Sequence, residues 1–456
     1  MVFFQKYGTL LSKNRNEKRI FMARPDNLKN SPLEQVVGII AEYNPFHNGH
    51  AYHIQEAKRH SNAKYCIVVM SGDFVQRGGP AIFDKYIRTH MALLGGADLV
   101  LEIPPAFATS SAEDFAACGV ALLDRLGIVT HLCFGSECGD SKILNELAQI
   151  LSEEPEDFSQ YLKEFVSNGF SYPQAREMAL SCYLQSHSKS KLTYQVSHLL
   201  SSPNNTLGIE YCKAILKRKS AMVPITICRT GNHYHDKELS NNYSSATAIR
   251  NVIIDLKSAH NRSPVWSETL ENQVPFACLE WLRKTTPLTA NDFSSLLSYR
   301  LLELSHQGIE LEKFADVSSE LANRMEKQLL NFSSFENRIS SLKTKQYTYT
   351  RISRCLTHIL LQITRGDIID RKKIDYVSYI RVLGFRKDSA LLLKEIKRAS
   401  KLPIISKTAD APYILSSSSL VHFQQDLFCS HIYQTVLEQK SHIMPKNEYT
   451  QSVILI

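Results

Sequence analysis

The stretch "VVGIIAEYNPFHNGHAYHI", residues 36–54, decides how this chain is read. Its first six residues are apolar or glycine, and an Asn-Pro break follows at 44–45. A short apolar run bounded by turn signals predicts a buried strand, here Val36 to Glu42. His47-Asn48-Gly49-His50 then opens a predicted helix, Asn48 to about His60, with Tyr52, Ile54 and Ala57 available for packing. A helix N-terminus presents unpaired N–H groups and partial positive charge, which suits a phosphate. His47 and His50 stand three apart, so both side chains lie on one face of the first turn. Two imidazoles there can donate to one phosphoryl group as charge builds during its transfer. Gly49 removes a side chain where a nucleotide must approach the backbone. Pro45 sets the turn without needing a backbone donor. The plainer reading is two histidines on a polar helix start; the strand-to-helix setting favours the functional one.

Working outward, strands and helices alternate. "YCIVVM" (65–70) is a second buried strand, and "DKYIRTHMALLGG" (84–96) a helix closed by glycines. "ADLVLEIPP" (97–105) is a third strand, "SAEDFAACGVALLDRLG" (111–127) a helix and "VTHLCFG" (129–135) a fourth strand. Residues 141–200 turn helical and polar, a predicted insertion. A helix at 204–218, a strand at 222–229 and a helix from 244 follow. This alternation predicts a parallel, doubly wound Rossmann-like α/β sheet, with its ligand at the carboxyl ends of the strands. After about 270 strands become scarce and amphipathic helices such as 291–304 and 389–400 dominate. The expected division is a leader at 1–33, a nucleotidylyltransferase-like domain at 34–270 and a mainly helical domain at 271–456, its boundary near "HNRSPVWSE" (260–268).

Other loops fall at the same predicted edge. "MSGDFVQRGGPAIFDKYIR" (70–88) places Asp73, Gln76 and Arg77 within reach of a substrate, with Lys85 and Arg88 able to meet an anion. An ordinary surface Asp-Arg pair accounts nearly as well for Asp73. Gly135 in "FGSECGD" would let adenine or ribose lie on the backbone; a plain turn is the alternative. Asn204 and Asn205 stand at a helix start, where capping alone explains at least one of them. In "RTGNHYHDKELSNNYSSATAIR" (229–250), Arg229 closes a strand, and Ser244, Ser245 and Thr247 open a helix carrying Arg250. Hydroxyls, free N–H groups and a guanidinium together suit a triphosphate.

Composition bounds the rest. The 456 residues are 43% hydrophobic and 21% charged, ordinary for a soluble globular protein of two or three domains. No apolar stretch approaches the roughly 18 residues that span a bilayer, and the first 33 residues lack the apolar run of a secretory signal. They read as disordered. Ten scattered cysteines, none in a Cys-x-x-Cys pair, suit reduced thiols in the cytoplasm rather than disulfides or a zinc site. Net charge is +8, and residues 331–410 hold 17 Lys and Arg against 7 Asp and Glu. That suggests a polyanion such as RNA, or else a solvated lysine-rich surface. Within it, "KTKQYTYTR" and "RKKIDYVSYIR" offer phosphate contacts at Lys343, Lys345, Arg371, Lys372, Lys373 and Arg381, with tyrosines for base stacking.

The pairing of His47-x-Gly49-His50 with Ser244-Ser245-Ala246-Thr247-Ala248-Ile249-Arg250 resembles the HxGH nucleotidylyltransferase superfamily, whose members attack the α-phosphate of a nucleoside triphosphate. With "VMSGDFVQRG", "FGSECGD", "SPNNTLGIEY", "RTGNHYHD" and "YIRVLGF", the chain resembles the bacterial tRNA(Met) cytidine acetate ligases from about residue 36 onward. That resemblance implies acetate activated by ATP as acetyl-adenylate, then joined to N4 of the wobble cytidine of elongator tRNA(Met), releasing AMP and pyrophosphate. It implies ATP contacts at Ile40, Ala41, Glu42, Tyr43, Asn44, Pro45, Phe46, His47, Asn48, Gly49, His50, Ala51, Tyr52 and His53, and at Gly135, Asn204 or Asn205, and Arg229. His47, His50 and Asp73 are the expected catalytic residues. Magnesium is expected to accompany ATP, with no protein ligand assignable. A small-molecule adenylyltransferase would leave the basic C-terminal extension without a purpose. An RNA-binding protein with an inactive nucleotide fold would have no use for the intact His-x-Gly-His.

Overall fold

In the computed structural model, residues 35–187, 199–200, 202–229, 244–258 and 270–456 are described. The expected leader, part of the insertion, residues 230–243 of the second motif and the "HNRSPVWSE" boundary lie outside them. Strand β1 (Val36–Ala41) is followed by helix α1 (Asn48–Ser61), β2 (Tyr65–Ser71) and a small hairpin, β3 (Phe74–Val75) with β4 (Gly79–Pro80). Then come α2 (Lys85–Leu94), β5 (Leu99–Ile103), α3 (Ala112–Arg125) and β6 (His131–Ser136). Helices α4 (Ser141–Glu153), α5 (Glu156–Ser167), α6 (Tyr172–His187) and α7 (Pro203–Arg218) lead to β7 (Val223–Cys228) and α8 (Ala246–Ser258).

The sheet runs β5-β2-β1-β6-β7 with every pair parallel. From β1 the chain builds outward to β2 and β5, then returns to the other side of β1 for β6 and β7. The crevice where that direction reverses, between β1 and β6, is where doubly wound sheets hold ligands. Buried faces explain the apolar runs: Val36 and Ile40 pack on one side of the sheet, Val37 and Ile39 on the other. Caps fall where side chains can accept from free N–H groups. Asp84 accepts from the amides of Tyr86 and Ile87, and Ser111 accepts from that of Asp114.

After residue 276 the described chain is mainly helical, and one cluster around Phe293, Leu301, Phe314, Phe335 and Leu356 forms its core. It includes α9 (Tyr349–Leu360) and α10 (Arg365–Lys373). The chain then returns to the sheet. Residues Ile380–Phe385, inside "YIRVLGF", form β8, which lies antiparallel beside β5. Strands β9 (Ile404–Ile405) and β10 (Ile454–Leu455) flank β8 in parallel. Helix α11 (Ala390–Ala399) follows β8, and the long α12 (Ser417–Ser441) runs past the β3–β4 hairpin, with the Tyr433 hydroxyl donating to the Ala81 carbonyl. Leu33–Ile456 form one compact unit.

Candidate active site

Strand β1 ends in a turn that buries Tyr43 and Phe46 against each other, ring centroids 4.9 Å apart. His47 then caps α1. Its Nδ1 accepts from the Gly49 amide at 3.1 Å, and the His50 Nδ1 accepts from the His47 amide at 3.3 Å. The two rings stack at 3.7 Å. With both Nδ1 atoms accepting, each neutral ring carries its proton on Nε2. Burial, reinforced by Arg229 and Arg250, pushes the His47 pKa down to about 3. Burial chiefly, with His47 and Arg229, lowers that of His50, and burial with Arg229 brings His53 to about 4. The corner therefore holds neutral N–H donors rather than imidazolium ions.

The second corner meets the first. Ser245 Oγ accepts from the Ala248 amide at the start of α8. Arg250 donates through Nη1 to the Asn44 carbonyl at 2.6 Å and through Nη2 to Thr247 Oγ1. That carbonyl belongs to the first corner, 206 positions away in the chain. Gln273, which sequence reasoning missed, braces both. Its carbonyl accepts from the Asn48 amide and its Oε1 from the Ser244 amide. At the end of β6, a Cβ on Gly135 would approach Arg229 Cγ to 3.3 Å, so the glycine lets that arginine lie close across the strand.

One pocket lies between these corners. From the first come Ile40, Ala41, Glu42, Tyr43, Asn44, His47, Gly49, His50, Tyr52 and His53. Gly135, Asn204 and Arg229 line it from the other strands, and Ser244, Ser245, Thr247 and Arg250 from the second corner. Among the described residues, three arginines (77, 229 and 250) and three histidines share the pocket wall with one carboxylate, Glu42. The sequence reading passed over Phe115, Phe134 and the thiol-bearing Cys228, which also line it. Leu207 and Tyr211 join them; the spacing 204, 207, 211 puts them on the helix face of Asn204, a signal available beforehand.

Several expected contacts lie elsewhere. Pro45, Phe46, Asn48 and Ala51 do not line the pocket, and Phe46 is fully buried. Asn205 is also buried; its Oδ1 accepts from the amides of Glu137 and Cys138, so it shapes the turn after β6. Asp73 is not on the pocket wall. Its Oδ1 accepts from the Lys85 amide, and burial raises its pKa. Lys85, expected to meet an anion, is spent on Glu102 at 2.8 Å and Glu448 at 3.2 Å. Arg88 is fully buried, donating to the carbonyls of Glu42, Ser71, Gly72 and Phe83. It ties the ends of β1 and β2 together. Among the described residues no three His, Cys, Asp or Glu side chains converge as a metal set.

The HIGH Nucleotidyl Transferase family matches residues 34–448. The tRNA(Met) cytidine acetate ligase of Acetivibrio thermocellus is 37% identical over 424 residues, covering 92% of this chain and 100% of that protein. That of Clostridium kluyveri is 42% identical over 377 residues, covering 82% and 90%. The chain belongs to the tRNA(Met) cytidine acetate ligase family. Its fold is that of Thermotoga maritima TmcAL: the apo form superimposes with a TM-score of 0.84 at 30% identity, over 92% of this chain and 99% of that one. A form bound with alpha-thio ATP gives 0.83 at the same identity and coverage.

For a member of this family, the basic segment needs one correction. Arg371 is buried and paired with Asp426 at 2.8 Å, and Arg381 is buried between Glu102 and Glu448. Neither guanidinium can reach a phosphate. Lys343, Lys345, Lys372 and Lys373 are exposed, although Lys372 pairs with Asp114 and Lys373 with Asp370. Of the four tyrosines there, Tyr347 and Tyr379 are buried, Tyr376 is half-buried and Tyr349 is exposed. No helix among the described residues is long and apolar enough to cross a membrane, and none of the ten cysteines is in a disulfide.

Proposed function

We propose that this chain is a cytoplasmic ATP-dependent ligase that activates acetate as acetyl-adenylate and transfers the acetyl group to N4 of the wobble cytidine of elongator tRNA(Met). A carboxylate oxygen of acetate attacks the α-phosphorus, the bond to the β-phosphate oxygen breaks, and pyrophosphate leaves. The Nε2–H groups of His47 and His50 donate to the α-phosphate oxygens as their charge grows. Each such donor is worth about 10²–10³ in rate. The α8 start, with Arg229 and Arg250, holds the departing pyrophosphate, and the backbone at Gly135 with Leu207 and Tyr211 receives the adenine. Magnesium bound to the triphosphate would offset its charge; among the described residues no three His, Cys, Asp or Glu side chains converge to hold the ion.

The cytidine amine is a poor nucleophile, since its lone pair is delocalised into the ring, so an activated anhydride is required. Residues 34–270 carry this chemistry in our reading, and 271–456 present the tRNA surface, with Lys343, Lys345, Lys372 and Lys373 against phosphates and Tyr349 available for stacking. The observation that carries the proposal is the stacked, neutral histidine pair sharing one pocket with Arg229 and Arg250. ATP–pyrophosphate exchange stimulated by acetate, with acetyl-cytidine appearing in tRNA(Met) by mass spectrometry, is the expected result. Exchange that requires a different carboxylate would refute the choice of substrate.

A further inference from the structure

A pocket built for a triphosphate has an electrostatic reason to exclude carboxylates. Like charges a few ångströms apart cost about 1 kcal/mol in water and more where water is scarce. Yet Glu42 lines this pocket, the only acidic side chain among its described walls. It is held firmly. The Gln76 amide donates to Oε1 at 2.8 Å, and Arg88 Nη1 donates to the Glu42 carbonyl at 2.7 Å. Among the described residues nothing donates a hydrogen bond to Oε2. One carboxylate oxygen thus fixes the group while the other is left for something that enters.

Acetyl transfer creates a need for such a group. When the N4 lone pair of cytidine bonds to the carbonyl carbon of the mixed anhydride, the nitrogen becomes cationic and strongly acidic. A proton must leave it as the bond from that carbon to the AMP phosphate oxygen breaks. The histidines are poor acceptors. In His47 and His50 the Nδ1 atoms already accept from backbone amides, and their Nε2 atoms carry protons. His53 is half-buried, with its Nε2 3.6 Å from the Cys133 sulfur, and desolvation with Arg229 pushes its pKa down to about 4.

The geometry points to Glu42 as the general base of the aminolysis step: its Oε2 takes the proton from the attacking cytidine N4. The nitrogen–carbon bond forms, the carbon–oxygen bond to AMP breaks with its electron pair leaving on the phosphate, and the proton passes to Glu42 and then to water. This rests on the acetyl-adenylate reading above. The aim of Glu42 is set from the helical part of the chain. The hairpin that carries Gln76 is seated on α9, where the Ser353 hydroxyl donates to the Gly78 carbonyl. A Cβ on Gly78, whose φ is +77°, would collide with the Arg354 backbone. The side of the molecule we assign to tRNA therefore buttresses the base.

Glu42→Gln keeps an acceptor for the Gln76 amide and removes the base. Single-turnover acetylation of tRNA(Met) is expected to fall at least about 100-fold, and acetate-dependent ATP–pyrophosphate exchange less than about tenfold. Hydroxylamine, a nucleophile that needs no base, is expected to trap acetohydroxamate from the variant in step with its exchange rate. Glu42→Asp is expected to recover part of the lost acetylation. Acetylation and exchange falling by the same factor would overturn the assignment and place Glu42 in ATP handling. Acetylation kept within about threefold would overturn it as well. Absence of acetate-dependent exchange in the unaltered protein would instead remove the acetyl-adenylate reading, and this assignment with it.

Discussion

His47 performs two tasks with its two ring nitrogens, and one substitution separates them. Nδ1 caps α1 by accepting from the Gly49 amide, while Nε2–H faces the pocket. Asparagine is among the best N-cap residues, and its Oδ1 can replace Nδ1; nothing in it replaces the outward donor. His47→Asn should therefore leave the helix capped, so that unfolding in denaturant shifts by less than about 1 kcal/mol. His47→Ala removes the cap as well and should cost about 0.5–2 kcal/mol. Both should lose the hydrogen bond to the α-phosphate, about 2.7–4 kcal/mol of transition-state stabilisation, or 10²–10³ in the maximal rate of acetate-dependent exchange. Measured side by side, the two variants should differ in stability and agree in exchange rate. An asparagine variant that exchanges within about threefold of the unaltered protein would show that Nε2–H does not bear on the reaction, and the reasoning would fail.

Stability should depend on pH through the same corner. The folded pKa of His47, about 3, lies below the ordinary 6.5, so the unfolded chain takes up the proton first. Its contribution is complete above about pH 6.5 and is lost as pH falls toward 3; at pH 5 the loss from this one residue is about 2 kcal/mol, readable by denaturant unfolding. Bound ATP should lessen that loss, because phosphate charge favours imidazolium; an ATP-independent profile would contradict the placement of the triphosphate. Nitrogen chemical shifts of the His47 and His50 rings should report the Nε2–H form at pH 7. Arg371→Ala strands the buried Asp426 carboxylate and should cost about 3–5 kcal/mol of stability. Lys343→Glu, Lys345→Glu and Lys373→Glu together should leave stability alone and weaken tRNA binding at least about tenfold at low salt, with a shallower salt dependence.

Much of this was legible in the sequence because both corners are local. Residues 36–54 encode strand, turn, cap and phosphate-facing donors within nineteen positions, and Asp84 and Ser111 mark helix starts by side-chain chemistry alone. The parallel sheet followed from short apolar runs alternating with helices. What escaped was set by partners far away in the chain. Arg371 and Arg381 look like tRNA contacts until Asp426, Glu102 and Glu448 are found beside them. Asp73 and Lys85 look like substrate contacts for the same reason. Strand β8 hides within "YIRVLGF", a short run among helices, and only its antiparallel partner β5 shows where it belongs. Gln273 carries no motif; its bracing role exists only where two loops meet.

In the proposed mechanism the helix starts at His47 and Ser245 enclose a single ATP. A crystal structure of this protein with a non-hydrolysable ATP analogue tests it most directly. Expected are α-phosphate oxygens about 3 Å from Nε2 of both His47 and His50, with the outer phosphates against Arg229, Arg250 and the start of α8. A triphosphate bound away from either corner, or rings turned so that Nδ1 faces the phosphate, would contradict it.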